Sequence, residues 1–215
     1  LILSKSDFPE ELDNVFRNLE VYGDPYGIGW IHRTDWSENL GHHQARDHAD
    51  YLFWVGCGGA FDDRVKQLSV SLFKLLSASN SSFALLGQAE SCCGDSARRL
   101  GNEYLFQFLA ERNIETLNKC SFGKIVTFCP HCYNVLKNEY PKWGGNYEDV
   151  HASELLLDFI QQGKIGVDKF LEGHLTYHDP CYLGRYNGMY EQPRQLLKMV
   201  SQEGAPIIEM ENNRK

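Results

Sequence analysis

Five of the seven cysteines in this chain follow a spacing that suits a metal centre. Thirty-four residues separate Cys57 from the adjacent Cys92 and Cys93, and 35 more separate that pair from Cys129, with Cys132 three positions further on. Thiolates are soft ligands that select iron–sulfur clusters, zinc or copper(I). An iron–sulfur centre is the favoured interpretation, because five thiols from three separate stretches need a common purpose.

Two alternatives stay open on the residues alone. Five thiols exceed the four that tetrahedral zinc or a simple cubane cluster requires, so a zinc-stabilised binding module would leave one cysteine idle. The tetrapeptide Cys-Pro-His-Cys at 129–132, placed at the start of a helix, also matches a thiol–disulfide exchange motif. That hypothesis gives Cys57, Cys92 and Cys93 no role.

The bulk composition narrows the class of protein. A chain of 215 residues with 42% hydrophobic residues can bury a real core, and its net charge of −8 argues against a nucleic-acid surface. No apolar run approaches the roughly 20 residues of a membrane helix, and no signal peptide is visible, so we expect a cytoplasmic, soluble piece with reduced thiols. The first residue is Leu, which suggests a fragment of a longer protein.

An apolar run, a cysteine and a helical stripe follow one another three times. The runs at 51–55, 83–86 and 124–128 lead to Cys57, to the Cys92 and Cys93 pair, and to Cys129; helices are predicted over 61–77, over 96–117 and from about Tyr133. This alternation predicts an α/β fold with a parallel sheet flanked by helices. Ligands of such sheets lie beyond the carboxyl ends of the strands, so the thiols should converge there.

Three units are expected along the chain. Residues 1–48 should form a lead-in helix over 7–21, a turn-rich linker at 23–29 and an irregular stretch, all packed on the main domain. Residues 49–170 form the first unit. Residues 171–215 should begin a second, similar unit, with strands at 175–178 and 206–210 and a helix at 191–200. Cys181 follows the first of these strands, and we interpret it as the first ligand of a second site.

Several charged residues near the cysteines are candidates for accessory roles. Arg98, Arg99 and Arg185 are expected to balance the charge of a cluster, the alternative being surface arginines bonded to carboxylates. His131 is expected to contact a sulfur through N–H···S or else to face solvent in its turn. Asp179 is expected to cap the helix that follows it.

The motifs together resemble the cysteine-rich CCG domains of heterodisulfide reductase subunits B and D. The matching pieces are Val-Gly-Cys at 55–57, Cys-Cys-Gly-Asp at 92–95 with Ala-Arg-Arg-Leu-Gly-Asn-Glu at 97–103, Cys-Pro-His-Cys at 129–132 and His-Asp-Pro-Cys-Tyr-Leu-Gly-Arg at 178–185. The resemblance implies Rossmann-like modules that pack in pairs and a noncubane [4Fe-4S] cluster in each. Its ligands here would be Cys57, Cys92, Cys93, Cys129 and Cys132.

Two stretches, 23–27 and 178–185, are most similar to one branch of that family, the membrane-linked oxidoreductases between electron-transferring flavoprotein and menaquinone. The resemblance implies a protein that relays electrons from a flavoprotein or ferredoxin-type donor to a quinone or disulfide acceptor. Expected partners are that flavoprotein or ferredoxin-like domain, a second CCG module and a membrane domain of the parent protein, with this piece on the cytoplasmic face. Some relatives hold zinc in one module, so zinc is the alternative cofactor.

Overall fold

The computed structural model describes residues 9–40, 48–202 and 207–214. Its centre is a parallel four-stranded sheet in the order β2-β1-β3-β4. The strands are β1 (Ala49–Phe53), β2 (Phe83–Leu85), β3 (Phe122–Thr127) and β4 (Asp149–His151). The expected α/β class is confirmed, since helices connect these strands and cover both faces of the sheet.

Helices alternate with the strands along the chain. They are α1 (Glu11–Tyr22), α2 (Gly56–Phe61), α3 (Asp63–Ala78), α4 (Asp95–Arg99), α5 (Glu103–Leu117), α6 (Pro130–Asn138), α7 (Ala152–Gln161), α8 (Cys181–Asn187) and α9 (Glu191–Val200). Within the part of the chain described, no helix combines the length and the apolar character that crossing a bilayer requires.

A capping residue separates α2 from α3, and another divides the helix predicted at 96–117 into α4 and α5. Asp62 has an extended backbone, and its carboxylate accepts hydrogen bonds from the N–H groups of Arg64 (3.0 Å) and Val65 (2.9 Å), so α3 begins separately from α2. Asn102 does the same for α5 by accepting from the N–H of Leu105 (3.0 Å). Cys57 therefore lies in the short helix α2 instead of in a loop.

The core has two layers, one on each face of the sheet. On one face Leu52 packs with Leu109 of α5 and with Phe16 and Leu19 of α1. On the other face the buried side chains of β1 and β3 pack with those of α2, α3 and α7; the set comprises Phe53, Val126, Phe61, Leu72, Phe73, Leu76, Leu155 and Phe159. Strands buried on both faces explain the continuous apolar runs in the sequence.

The lead-in is part of this core. Helix α1 covers the predicted position, and the stretch expected to be irregular contains two short 3₁₀ turns, Trp30–His32 and Asp35–Ser37. Trp36 packs edge-on against Phe53 and Phe73, with ring centroids 6.0 and 6.1 Å apart. The segment 9–40 thus lies against the main unit, and residues 41–47 of the predicted lead-in lie outside the described residues.

The second half of the chain corrects two predictions. Helix α9 occupies 191–200 as expected, but the strands predicted at 175–178 and 206–210 are wrong: the described residues there form only isolated bridges, Leu171 with Ser201 and Leu175 with Ile207. Asp179 does not cap α8, whose first turn receives no side-chain cap. Its carboxylate instead forms a bidentate pair with Arg194 (2.6 and 2.7 Å), a charge-assisted interaction stronger than a cap.

Candidate metal centre

Three neighbouring strand ends carry the five cysteines to one place. Cys57 lies in the first turn of α2, directly after β1, and Cys92 and Cys93 lie between β2 and α4. Cys129 precedes α6 as its N-cap residue, and Cys132 lies in the first turn of that helix. Because β2, β1 and β3 are adjacent and parallel, their carboxyl ends share one edge of the sheet.

The five cysteines lie in one packed group. Cys92, Cys93 and Cys132 belong to the same buried cluster, and Cys57 and Cys129 pack against it. Neighbouring thiols in this group shift the pKa values of one another. All five are free; three are buried, whereas Cys57 and Cys129 are partly exposed. Among the described residues, no three His, Cys, Asp or Glu side chains surround a point where a single metal ion could lie.

The pKa shifts of the five thiols run in two directions. Accepting from Cys132 and from Cys92 lowers the pKa of Cys93 to about 7. Accepting from Cys132, together with the backbone N–H groups at the start of α6, lowers the pKa of Cys129 to about 6 despite burial. Donating raises the pKa of Cys57 and of Cys132, and burial raises both further. Two sulfurs are thus disposed to be thiolates, the form that binds metal.

A buried arginine touches this group of thiols. Arg33 donates from Nη2 to the Sγ atom of Cys57 (3.4 Å) and to the carbonyl of Gly23 (3.1 Å), and from Nη1 to Glu90 Oε1 (3.0 Å). The side chains of Arg33 and Glu90 are each only 2% exposed. The guanidinium also lies over the ring of Phe61, 5.1 Å from its centroid. A cation therefore lies beside a predicted ligand in a site largely closed to water.

Glu90 fixes the turn that presents Cys57. Its carboxylate accepts from the N–H of Val55 (3.0 Å) and of Gly56 (2.8 Å), the two residues directly before the cysteine. Burial raises the pKa of Glu90, and Arg33 and the two backbone donors oppose that rise. This carboxylate is thus a structural anchor for the first ligand turn.

A second buried network holds the adjacent cysteines. Asn113 donates to the carbonyl of Cys92 (2.8 Å) and to Tyr140 Oη (2.9 Å), and Tyr140 donates to the carbonyl of Cys93 (3.1 Å). Ser91 donates to Asn113 Oδ1 (2.8 Å). Our sequence reasoning missed Asn113, although an amide on the buried face of an apolar helix signals a required hydrogen-bond partner.

Arg98 and Arg99 both pair with carboxylates. Arg98 Nη1 pairs with Glu139 at 2.6 Å, and Arg99 pairs with Glu139 and with Asp95 (3.0 Å). Both follow the alternative of arginines bonded to carboxylates. Arg33, which donates to the thiol of Cys57, comes from the lead-in, 24 residues before that cysteine.

His131 is oriented by a carboxylate. Its Nδ1 atom lies 2.7 Å from Asp95 Oδ2, and this hydrogen bond raises the pKa of His131. Its ring lies edge-on to Tyr182 of α8, with centroids 4.6 Å apart. The backbone N–H groups of Cys132 and His131 and the charge of the His131 ring all lower the pKa of Cys129.

The remaining two cysteines lie outside the group. Cys181 is exposed at the first position of α8 and lines an open cleft of about 270 Å³ together with His178, Arg185 and Asn213. Cys120 follows α5, where its thiol donates to the carbonyl of Thr116 (3.5 Å). The structure thus brings together five of the six predicted site cysteines and leaves Cys181 apart.

Comparison with known proteins gives one family and several relatives. The family model of the CCG cysteine-rich domain matches residues 51–137 and 175–215. The chain is 43% identical to EtfAB:quinone oxidoreductase of Syntrophomonas wolfei over 98% of its own length and 30% of that protein. It is 38% identical to the probable iron-sulfur-binding oxidoreductase FadF of Bacillus subtilis over 100% and 31% of the two lengths.

A third relative is a component of the dihydromethanophenazine:CoB–CoM heterodisulfide reductase of Methanosarcina mazei. The identity is 30% over 98% of this chain and 52% of that protein. The chain therefore spans less than a third of the first two relatives and about half of the third. No solved structure gives a significant match.

Proposed function

The chain belongs to the CCG family of cysteine-rich domains, and we propose on that basis that it holds a [4Fe-4S] cluster within an iron–sulfur oxidoreductase. The proposed ligands are Cys57, Cys92, Cys93, Cys129 and Cys132. The observation that carries the proposal is their convergence from three adjacent strand ends into one packed group. The names of two relatives, an iron-sulfur-binding oxidoreductase and a quinone oxidoreductase, support it.

The residues at this edge fit such a cluster in number and in kind. All five donors are sulfurs, which is the ligand type of iron–sulfur clusters. Since a cubane needs four cysteines, the fifth favours a noncubane form in which every thiol is used. Zinc would take four sulfurs in a tetrahedron and leave one thiol unexplained. Arg33 supplies a positive charge beside the anionic sulfurs.

The proposed role is electron transfer. A bound [4Fe-4S] cluster accepts and releases one electron at a time. The chain's own residues exclude water from three of the thiols and leave Cys57 and Cys129 partly exposed, which makes that edge the side where an electron would enter or leave. We propose a flavoprotein or a ferredoxin-type domain as donor and a quinone or a disulfide as acceptor, in keeping with the names of the relatives.

We further propose that residues 171–215 begin a second CCG module. The second matched segment of the family, 175–215, supports this division, and Cys181 would be the first ligand of the second site. Since this chain covers less than a third of two relatives, the remainder of that site would come from the rest of the parent protein. A membrane domain of that protein would place this piece on the cytoplasmic face, near a lipid-soluble quinone.

The test is the metal content of protein purified without oxygen. We expect a brown protein with about four iron atoms per chain and a paramagnetic signal on reduction or oxidation. Cys57→Ser should lose more than half of the iron, whereas the matched variant Cys120→Ser, outside the group, should retain it. A colourless protein with one bound zinc would contradict the proposal and favour the zinc-stabilised binding module.

The thiol–disulfide alternative gives a different pattern. An exchange activity lost in Cys129→Ser and retained in Cys57→Ser, in protein without iron, would favour it, because exchange needs only the 129–132 motif. Under our proposal both substitutions remove iron.

A further inference from the structure

We propose that Arg33 is a positioning residue of the metal centre that sets its reduction potential. Its guanidinium holds the Sγ atom of Cys57 and keeps one positive charge beside the cluster. This inference rests on the proposed function, because it concerns a group bound by the same thiols.

The first support is the unusual location of the charge. A guanidinium stays protonated in proteins, so a buried arginine is a permanent cation. Removing such a charge from water costs several kcal/mol, and it is tolerated only with good partners. Arg33 is 2% exposed, and its Nε atom has no hydrogen-bond partner among the described residues. A buried cation with an unsatisfied N–H group destabilises the fold, so stability alone does not explain its presence.

The second support is how the two ends of the guanidinium are used. Nη1 donates to Glu90 Oε1 (3.0 Å), while Nη2 donates to Cys57 Sγ (3.4 Å) and to the carbonyl of Gly23 (3.1 Å). Glu90 is also occupied by the backbone N–H groups of the turn before Cys57. Glu90 therefore binds Nη1 and the turn before Cys57, while Nη2 stays available to donate to the sulfur of Cys57.

The third support is the segment that delivers Arg33. The matched family regions begin at residue 51, so Arg33 lies before them. The same segment contacts the site a second time, since the carbonyl of Gly23 accepts from the N–H of Cys92 (2.7 Å). Residues 23–33 thus form a strap that connects the first and second ligand turns. The lead-in therefore contacts the site directly at Cys57 and at Cys92.

The physical consequence is a shift of the redox equilibrium. Hydrogen bonds to cluster sulfurs and nearby positive charge stabilise the reduced, more negative state and raise the potential. Removing Arg33 should lower the potential, because both contributions vanish. Removing the charge of Glu90 should raise it, because Arg33 then lacks its counter-charge. Opposite signs from two neighbouring substitutions distinguish electrostatics from a general loss of structure.

Arg98 offers a matched control. It also lies over a phenylalanine ring, 4.6 Å from the centroid of Phe106, and it also pairs with a carboxylate, Glu139. Among the described residues, its ion-pair partners are the carboxylates of Glu103 and Glu139. Arg98→Gln thus removes a similar cation and ion pair without touching Cys57.

The experiment is an anaerobic redox titration of the full chain, followed by paramagnetic resonance and normalised to bound iron. Arg33→Gln should change the ratio of reduced to oxidised cluster at a fixed potential about tenfold toward the oxidised form, a shift of about 59 mV for one electron. Arg33→Lys, which keeps the charge but loses the fork, should fall between. Glu90→Gln should shift the midpoint upward, and Arg98→Gln should leave it near wild type.

Each outcome decides the matter. If Arg33→Gln binds less iron but the loaded fraction keeps the wild-type midpoint, Arg33 is merely structural and the inference is overturned. If Arg33→Gln binds no iron, an upward shift in Glu90→Gln supports the inference and an unchanged midpoint overturns it. Wild-type protein without iron overturns the proposed function and this inference together, whereas loaded wild type with insensitive variants overturns this inference alone.

Discussion

Cys57 and Cys181 each lie in the first turn of a short helix, α2 and α8, but their surroundings differ completely. The thiol of Cys57 contacts Cys92 and the guanidinium of Arg33. Cys181 is exposed in an open cleft. In the sequence, both cysteines follow an apolar run and precede a helix. The local motif therefore does not account for the difference.

The sheet accounts for it. Strand β1 pairs with β2 on one side and with β3 on the other, so the turn bearing Cys57 has a cysteine-bearing turn on either side. The described residues around Cys181 form single bridges, Leu171 with Ser201 and Leu175 with Ile207, instead of a sheet. A cysteine at a strand end becomes part of a site only where parallel neighbours bring further sulfurs to the same edge.

The largest difference expected between the two regions comes from two left-handed glycines, one in each. Gly56 (φ +74°) precedes Cys57, and an added Cβ would lie 3.1 Å from the Sγ atom of Cys132; Gly188 (φ +66°) ends α8 with nothing within 4 Å of that position. Gly56→Ala should lower the free energy of unfolding by about 3 kcal/mol, from left-handed strain plus overpacking. Gly188→Ala should lower it by about 1 kcal/mol, from strain alone.

Iron content separates the two variants further. The added methyl group at position 56 displaces a proposed ligand, so Gly56→Ala should lose at least half of its iron, while Gly188→Ala should retain it. Chemical denaturation and iron analysis of both variants measure the two quantities. Equal losses of iron in the two variants would mean that crowding at Cys132 does not cause the loss of iron.

A smaller effect concerns a buried carboxyl in the first unit. Asp149, on edge strand β4, has both carboxylate oxygens buried without a hydrogen-bond partner among the described residues, and burial raises its pKa from 3.8 to about 7 against the opposing charge of Lys137. A raised pKa means that the folded state binds the proton more tightly. Stability from this group is therefore full below pH 3.8 and declines as pH rises toward about 7.

Asp149→Asn should remove that decline. The difference in unfolding free energy between variant and wild type should grow by about 2 kcal/mol in favour of the variant across this interval, as measured by denaturation at several pH values. Glu148→Gln, at the exposed neighbouring carboxylate paired with Lys124, is the matched control. A pH-independent difference for Asp149→Asn would show that the carboxyl is hydrated or paired.

Much of the fold could be predicted because its signals are local. Apolar runs of strand length followed by helical stripes located β1, β2 and β3, and α9 lies where its periodicity indicated. The break at Asn102 was missed because a capping side chain has to be distinguished from an ordinary polar position inside a helix. The strands near Leu175 and Ile207 failed because a short apolar run becomes a strand only with a partner to pair with.

The sequence predicted the cysteines of the site but not the residues that position them. Cysteine is rare and its spacing is informative, so the five thiols could be grouped from the sequence alone. Arg33 and Glu90 lie 57 residues apart in sequence and meet only through the packing of the lead-in. Arg98 and Arg99 were proposed because they lie near the cysteines in sequence, but carboxylates from α4 and from the end of α6 lie closer in space. Sequence proximity is a weak guide to charge pairing in an α/β fold.

The weakest expected effect concerns a carboxylate of the second region, Glu209. Its contribution to stability is lost as pH falls, whereas that of Asp149 is lost as pH rises. Arg194 donates to Glu209 from Nε (2.6 Å) and Nη2 (2.9 Å), and these bonds, with one from Asn213, lower the pKa of Glu209 from 4.5 to about 2. A lowered pKa means that the stability from this group is present above pH 4.5 and is lost as pH falls toward about 2. Because Glu209 is 39% exposed, solvent screening should limit the effect to less than about 1 kcal/mol.

Glu209→Gln should therefore lose stability relative to wild type above pH 4.5 and converge with it near pH 2. Thermal unfolding across this interval measures the difference, and its sign is opposite to that expected for Asp149→Asn in the first unit. Asp149 is an unpaired acid whose charge the fold resists, whereas Glu209 is an acid whose charge Arg194 holds in place. Parallel curves for Glu209→Gln and wild type would mean that solvent screens the pair with Arg194 too strongly for it to stabilise the second region.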